Sequence, residues 1–337
     1  MSTTLTSPFA FALDAALEAD RPAEARGASR SDVRMLVSDK ATGAIGHHRF
    51  DALPALVRPG DLLVVNNSGT MPASVPTRQG WRVHFSSTRP DGSWLVELRD
   101  RDKPYLGEVL GRIVDLPGGV ELYLERRFGK RLWVTRPKFA SVPEYLAKYG
   151  KPIRYSYVDR DWPISAYQTA FATVPGSAEM PSAARPFTPE IVTRLVSAGV
   201  GVAPITLHTG VASLESDEDP YPEWFEVGDF TARAVNAAKA AGGRVIAVGT
   251  TAVRALESAA AEGGEVAAAS GHTDRIVSTA DPVKVVDGLL TGFHEPRSTH
   301  LSMLEAICDT DLLRASYTAA IEERYLWHEF GDVHLIA

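Results

Sequence analysis

Three places in this chain of 337 residues hold side chains that could do chemistry together: His208, the run Gly249-Thr250-Thr251 with Arg254, and His294 with Arg297. Imidazoles exchange protons near neutral pH, and guanidinium groups steady developing negative charge. A Gly-Thr-Thr turn that opens a helix offers free backbone amides to an anionic or electron-rich group, and the two hydroxyls are suited to capping. The set therefore suits acid-base chemistry on a polar ligand held at a helix start. A lone histidine at a strand end is more often structural, so it is the convergence of three such ends that points to a site. No Gly-x-x-x-x-Gly-Lys phosphate loop, Gly-x-Ser-x-Gly elbow or zinc or calcium spacing is present. The single cysteine, Cys308, excludes a disulfide framework and a cysteine-built metal site, and its apolar helical context predicts a small buried hydrophobe.

These residues need a scaffold, and the apolar patterning supplies one. Residues 245–248 are four consecutive apolar positions, the mark of a strand buried on both faces, and Val253, Leu256 and Ala260 then recur at helical spacing. Arg254 and Glu257, three apart, are expected to share one face near the site. Further strands are predicted at 35–39, 45–50, 61–67, 200–207 and 283–290, the fourth delivering His208 at its end. Helices are predicted at 50–57, from Thr188-Pro189-Glu190 to a stop at Gly199, at 231–241, from Ser298 or Thr299 through Ile307, and at 311–324. Between 72 and 140 the texture changes to short alternating runs separated by Gly, Pro and Asp, which indicates a small β-barrel or sandwich. The expected architecture is a split α/β main domain, residues 1–71 and 141–337, with an inserted small β-barrel domain at 72–140. In such α/β sheets ligands gather at the carboxyl ends of the strands, where all three candidate places fall.

Composition of 45% hydrophobic and 23% charged residues is that of a folded soluble chain, and no apolar run reaches the length needed to span a bilayer. The start of the chain lacks the basic and apolar regions of a secretory signal, so a cytoplasmic location is expected. The net charge of −7 is unevenly spread: residues 76–160 carry 17 Lys and Arg against 10 Asp and Glu, so the remainder carries −14. One segment is thus suited to a polyanion while the rest stays acidic, although basic side chains also decorate many β domains that meet no nucleic acid.

The run 249–258, together with Asp287-Gly288-Leu289-Leu290-Thr291 and Phe293-His294-Glu295-Pro296-Arg297-Ser298-Thr299, resembles the S-adenosylmethionine:tRNA ribosyltransferase-isomerase family of queuosine biosynthesis. Arg58-Pro59-Gly60-Asp61-Leu62-Leu63-Val64, Tyr167-Gln168-Thr169, Phe187-Thr188-Pro189-Glu190, Thr206-Leu207-His208 and Gly331-Asp332 extend the likeness over almost the whole chain. The resemblance implies an α/β domain interrupted by a β-barrel and a tRNA partner, met by the basic insertion. It also implies S-adenosylmethionine as cosubstrate, with no metal. Its ribosyl part would pass, with isomerisation, to the aminomethyl group of a 7-deazaguanine base, giving epoxyqueuosine with release of adenine and methionine. On that footing His208 is the candidate base, His294 and Arg297 candidates for proton donation and electrostatic support, and Gly249, Thr250, Thr251 and Arg254 for holding the cosubstrate.

Four segments depart from the family's usual pattern: Asn66-Asn67-Ser68-Gly69-Thr70, residues 178–187, residues 209–214, and Tyr325-Leu326-Trp327-His328-Glu329-Phe330-Gly331-Asp332. Polar groups lost from site loops change which acceptor can be paired. Two other readings therefore stand beside the first: a diverged paralogue that cleaves S-adenosylmethionine and serves a small-molecule acceptor, and a non-catalytic adenosyl-ligand binding protein.

Overall fold

The computed structural model describes residues 11–101, 103–211, 221–296 and 298–337, so Arg297 and residues 212–214 lie outside the described residues. Val245–Val248 forms the predicted strand, buried at every position. Its side chains alternate between two hydrophobic clusters: Val245 and Ala247 join Val64, Leu289 and Leu256, while Ile246 and Val248 join Leu63, Val65 and Leu290. Both faces of the sheet are thus covered, which is why the run lacks polar positions. Each of the valine and isoleucine side chains contributes about 2 kcal/mol by leaving water.

The sheet has nine strands in the order Ala269–Thr273, Glu223–Val227, Gly201–Leu207, Leu62–Asn66, Val245–Val248, Gly288–Gly292, Val333–Ile336, Arg34–Ser38 and Ile45–Arg49. The four strands from Gly201–Leu207 to Gly288–Gly292 are parallel, the remaining pairs are antiparallel, and the exception is Val333–Ile336 with Arg34–Ser38, which is parallel. Helices Pro189–Ser197, Asp229–Ala240, Thr250–Ser258, Thr299–Glu305 and Thr310–Glu322 start and stop within a few residues of the expected bounds. Residues 50–56 are helical as expected, a 3-10 turn over Phe50–Ala52 running into one short α turn over Leu53–Leu56. Cys308 is buried in the main core.

One predicted strand is displaced. The pattern 283–290 reads as a strand, yet pairing begins only at Gly288, because the amides of Lys284, Val285 and Val286 donate to the Glu257 carboxylate at 2.8, 3.0 and 3.1 Å. Glu257 is fully buried and turned toward this segment, so it does not share the cavity-facing role of Arg254. Glu257→Ala would leave three amides without an acceptor. It is expected to lower the unfolding free energy by about 3 kcal/mol in urea titration, near the penalty for stranding buried donors.

Between strands Leu62–Asn66 and Gly201–Leu207 the chain builds a second sheet of seven strands. Its path runs Ser74–Pro76, Arg82–Thr88, Trp94–Asp100, Leu132–Thr135, Val120–Phe128, Ile113–Leu116, with Lys103–Pro104 pairing on Trp94–Asp100. The small β-barrel or sandwich expected here takes the form of a curled half-barrel sheet. Its two edges meet through one backbone bond, Arg78 N–H to the Asp115 carbonyl at 3.0 Å, because Pro76 ends the edge strand without the amide a longer ladder needs. Helix Val142–Tyr149 places Val142, Tyr145 and Leu146 in this sheet's core. Two of the segment's arginines are not on the surface: Arg131 and Arg99 reach the buried Glu97 carboxylate at 2.5 and 3.4 Å.

Candidate active site

The carboxyl ends of the central parallel strands open on a cavity of about 450 Å³. That size suits a nucleoside-sized ligand. Gly249, Thr250, Thr251, Arg254 and His294 all line it, as do Thr209 and Gly210 beyond strand Gly201–Leu207.

Gly249 leaves its strand at φ +90°, a backbone state that disfavours side chains, and helix Thr250–Ser258 follows without a side-chain cap. The expected capping by the threonines fails for a specific reason. Thr251 Oγ1 accepts from Asn66 Nδ2 at 3.1 Å, and that amide group also donates to the Leu207 carbonyl at 2.9 Å. Asn66 Oδ1 accepts from the amides of Ser68 and Leu207, so this buried side chain ties three strand ends together. The uncapped helix start keeps its amides for a ligand.

Arg254 is nearly buried and its donors are committed: Glu223 takes one in an ion pair, and the Thr273 and Arg275 carbonyls take others at 3.1 and 3.3 Å. Glu223 also accepts from the Gly210 amide at 2.7 Å. Arg254 therefore holds the cavity wall through Glu223.

His294 bonds Thr291 Oγ1 through Nε2 at 2.9 Å and stacks on His300 with ring centres 4.7 Å apart. Its Nδ1 has no partner among the described residues. Burial, then the nearby His300, His334 and His328, hold it well below the usual imidazole range, so at pH 7 it is neutral. His300, which also lines the cavity, is brought down to about 4 by burial.

His208 is placed differently. Its Nδ1 lies 2.8 Å from Ser68 Oγ, its ring stacks on Trp224 at 5.1 Å, and its other side presses on Gly176, where a Cβ would lie 2.4 Å away. Burial brings its pKa to about 4. It is not among the cavity-lining residues, although Thr209 next to it is.

The opposite wall was not read from the sequence. Tyr155, Tyr157 and His328 form a ladder, with ring centres 5.9 Å apart between the tyrosines and 3.9 Å between Tyr157 and His328. Tyr155 donates to the Glu179 carboxylate and Tyr157 to Glu329 Oε2 at 2.6 Å. Burial pushes the Glu329 carboxyl up and both tyrosines well above their usual range. His328 stands at φ +72°, with Glu18 at 3.4 Å and Glu295 at 3.7 Å. Tyr155 and Tyr157 flank Ser156 in a turn closed by the Val158 amide donating to the Tyr155 carbonyl at 3.1 Å, and no periodicity of the sequence signalled it. Glu179, His328 and Glu329 had no signal either, since they belong to two of the segments that depart from the family pattern. The described lining residues include four carboxyl groups, Glu179, Glu223, Glu295 and Glu329, and one guanidinium, Arg254; with Glu223 paired to Arg254 and burial favouring the protonated form of Glu329, the excess of acidic groups rests on Glu179 and Glu295. The cavity thus favours a cation.

The chain is similar to known proteins over nearly its whole length. Residues 6–336 match the family described as queuosine biosynthesis protein. The S-adenosylmethionine:tRNA ribosyltransferase-isomerase of Azoarcus sp. is 35% identical over 334 residues, covering 95% of each chain. That of Natranaerobius thermophilus is 32% identical over 325 residues, covering 92% of this chain and 94% of the relative. The crystal structure of S-adenosylmethionine tRNA ribosyltransferase from Thermotoga maritima superposes with a TM-score of 0.57 at 27% identity, covering 98% of this chain and 100% of that one.

Proposed function

From the premise that this chain belongs to the queuosine biosynthesis protein family and is a transferase and isomerase of tRNA modification, we propose the following reaction. It moves the ribosyl part of S-adenosylmethionine onto the 7-aminomethyl-7-deazaguanine base of a tRNA. Epoxyqueuosine forms, and adenine and methionine leave. The observation that carries this reading is the single cavity in which the Gly249-Thr250-Thr251 turn, His294 and four carboxyl groups come together.

Each part has a physical task. The sulfonium of the cosubstrate is a cation, and the acidic lining stabilises it. The uncapped amides at Thr250 suit the carboxylate of its methionyl portion. A sulfonium acidifies the adjacent C5′ protons, so a neutral base can begin the reaction, and His294, whose Nδ1 has no partner among the described residues, is our assignment for that base. Adenine departs with a proton, for which Glu329, kept protonated more readily by burial, is the nearest match in chemistry. Arg297 remains a candidate for electrostatic support. The seven-stranded sheet, read as an inserted domain at 72–140, is our candidate for contacting the tRNA backbone. Its affinity is then expected to fall steeply with salt. We place the reaction in the cytoplasm; among the described residues no helix is long and apolar enough to cross a membrane.

A second reading is favoured by one observation: Glu179, His328 and Glu329, which build the cavity wall, stand in segments that depart from the family pattern. A diverged enzyme would deliver the fragment to a small acceptor. Incubation with S-adenosylmethionine, with and without tRNA bearing the aminomethyl base, separates the two by adenine release. Release only with tRNA is expected; release at the same rate without it would favour the second reading, and no release with tRNA would sink the first.

A further inference from the structure

A second hollow, of about 360 Å³, shares a wall with the first, since Tyr167 lines both. It forms where the segment after helix Val142–Tyr149 crosses the edge strand Ser74–Pro76. Ser74 and Lys151 exchange both backbone bonds at 2.9 Å, and Gly150 passes so close to Pro72 that a Cβ would lie 1.8 Å from its carbonyl oxygen. The segment is therefore pinned. Trp162 offers a partly exposed ring, with the Arg160 guanidinium 4.1 Å from its centre and Nε1 donating to Asp159 at 3.2 Å. Lys151 and Arg154, both exposed, line the hollow and share one carboxylate, Asp161, at 2.7 and 3.3 Å. The Tyr167 hydroxyl, in the common wall, is buried with no hydrogen-bond partner among the described residues.

We propose that this hollow receives an unpaired ribonucleotide adjacent to the acceptor base, its base stacked on Trp162 and its phosphate held by Lys151 and Arg154. The inference rests on the tRNA reading above. An acceptor base can enter the 450 Å³ cavity only after leaving its stack, and a neighbouring nucleotide then loses a stacking partner. An aromatic ring backed by a guanidinium, with cations at the rim, replaces that partner for any base. Two exposed cations against one carboxylate leave the lining positive, which fits a phosphodiester. The shared wall at Tyr167 puts the hollow next to the place the acceptor base must occupy.

The test uses the full-length enzyme, S-adenosylmethionine and tRNA bearing the aminomethyl base, with adenine release as readout. Trp162→Ala is expected to raise KM for tRNA about tenfold, the scale of one lost stacking contact. Trp162→Phe is expected to recover most of that, with KM for S-adenosylmethionine within about twofold in both. Arg154→Glu is expected to raise KM for tRNA likewise; its side chain is exposed, so it serves if the tryptophan variants fail to fold. An unpaired oligouridylate is expected to inhibit the wild type competitively with tRNA and to lose that inhibition in Trp162→Ala. If the wild type depends on tRNA while these variants keep its KM, the hollow does not bind RNA and the proposal is overturned. If wild-type release proves independent of tRNA, the reading beneath it falls, and the proposal with it; the wild-type arm alone registers that result.

Discussion

Replacing His294 by Gln is expected to lower the rate of adenine release by about 10²–10⁴-fold, the usual contribution of a positioned general base. Glutamine preserves a hydrogen-bonding side chain near Thr291 Oγ1 but cannot take up a proton. Binding of S-adenosylmethionine, followed by calorimetry, is therefore expected to stay within a few fold. His208→Ala provides the contrast. That ring is occupied by Ser68, Trp224 and Gly176 and does not line the cavity, so its loss is expected to cost less than about tenfold. The reverse ranking would transfer the base role to His208. The pH profile adds a second check. Because burial and three neighbouring histidines hold His294 below the ordinary imidazole range, activity is lost only as pH falls through that lowered value. The acid limb of kcat/KM is expected well below pH 6.5, and a limb centred at 6.5 would exclude this residue.

Acidification is expected to destabilise the fold in the same range, with His334 as one contributor. This ring is fully buried, bonded through Nε2 to Ser38 Oγ at 2.7 Å, with Nδ1 lacking a partner among the described residues. Burial brings its pKa to about 3, against 6.5 for an imidazole in water. Between those values the unfolded chain takes up a proton that the folded chain refuses, so stability falls as pH falls. At pH 4.5 the loss is on the order of 3 kcal/mol from this residue, a large part of the typical 5–15 kcal/mol. His84, buried beside Arg99, Arg82 and Arg131, acts in the same direction. Asp332 and Glu329 act oppositely, since burial raises them and the folded chain takes up their protons first. Urea titrations at pH 7 and 4.5 measure the net change, and His334→Gln isolates the histidine part. A pH-dependent loss unchanged in that variant would contradict the assignment.

Much of the scaffold was legible because its signals are local. Four apolar residues at 245–248 can be satisfied only between two covered faces, and the glycine after them is required by its φ of +90°. The Thr188-Pro189-Glu190 start is read from the cap itself, and Thr188 Oγ1 does accept from the Ile191 amide. Where the reading failed, a distant partner had overridden local pattern. Glu257 captured the amides of 284–286, and Asn66 took the Thr251 hydroxyl expected to cap its own helix.

By itself the sequence determined six of the nine strands of the main sheet and the helices between them, and that the Gly249 turn, Arg254 and His294 stand at strand ends, because strand and helix periodicity depend on neighbours a few residues apart. Glu223–Val227, Ala269–Thr273 and Val333–Ile336, and the order in which all nine pair, came only from the structure. It also determined the likeness to its family. Only the tertiary structure decided that Arg254 serves Glu223, that His208 turns away, and that Tyr155, Tyr157, Glu179, His328 and Glu329 close the far wall. Those contacts join residues up to 172 positions apart, as in the bond from Tyr157 to Glu329. No periodicity spans that distance; the loops meet because the sheet order brings strand ends together, and burial then selects which polar groups pair.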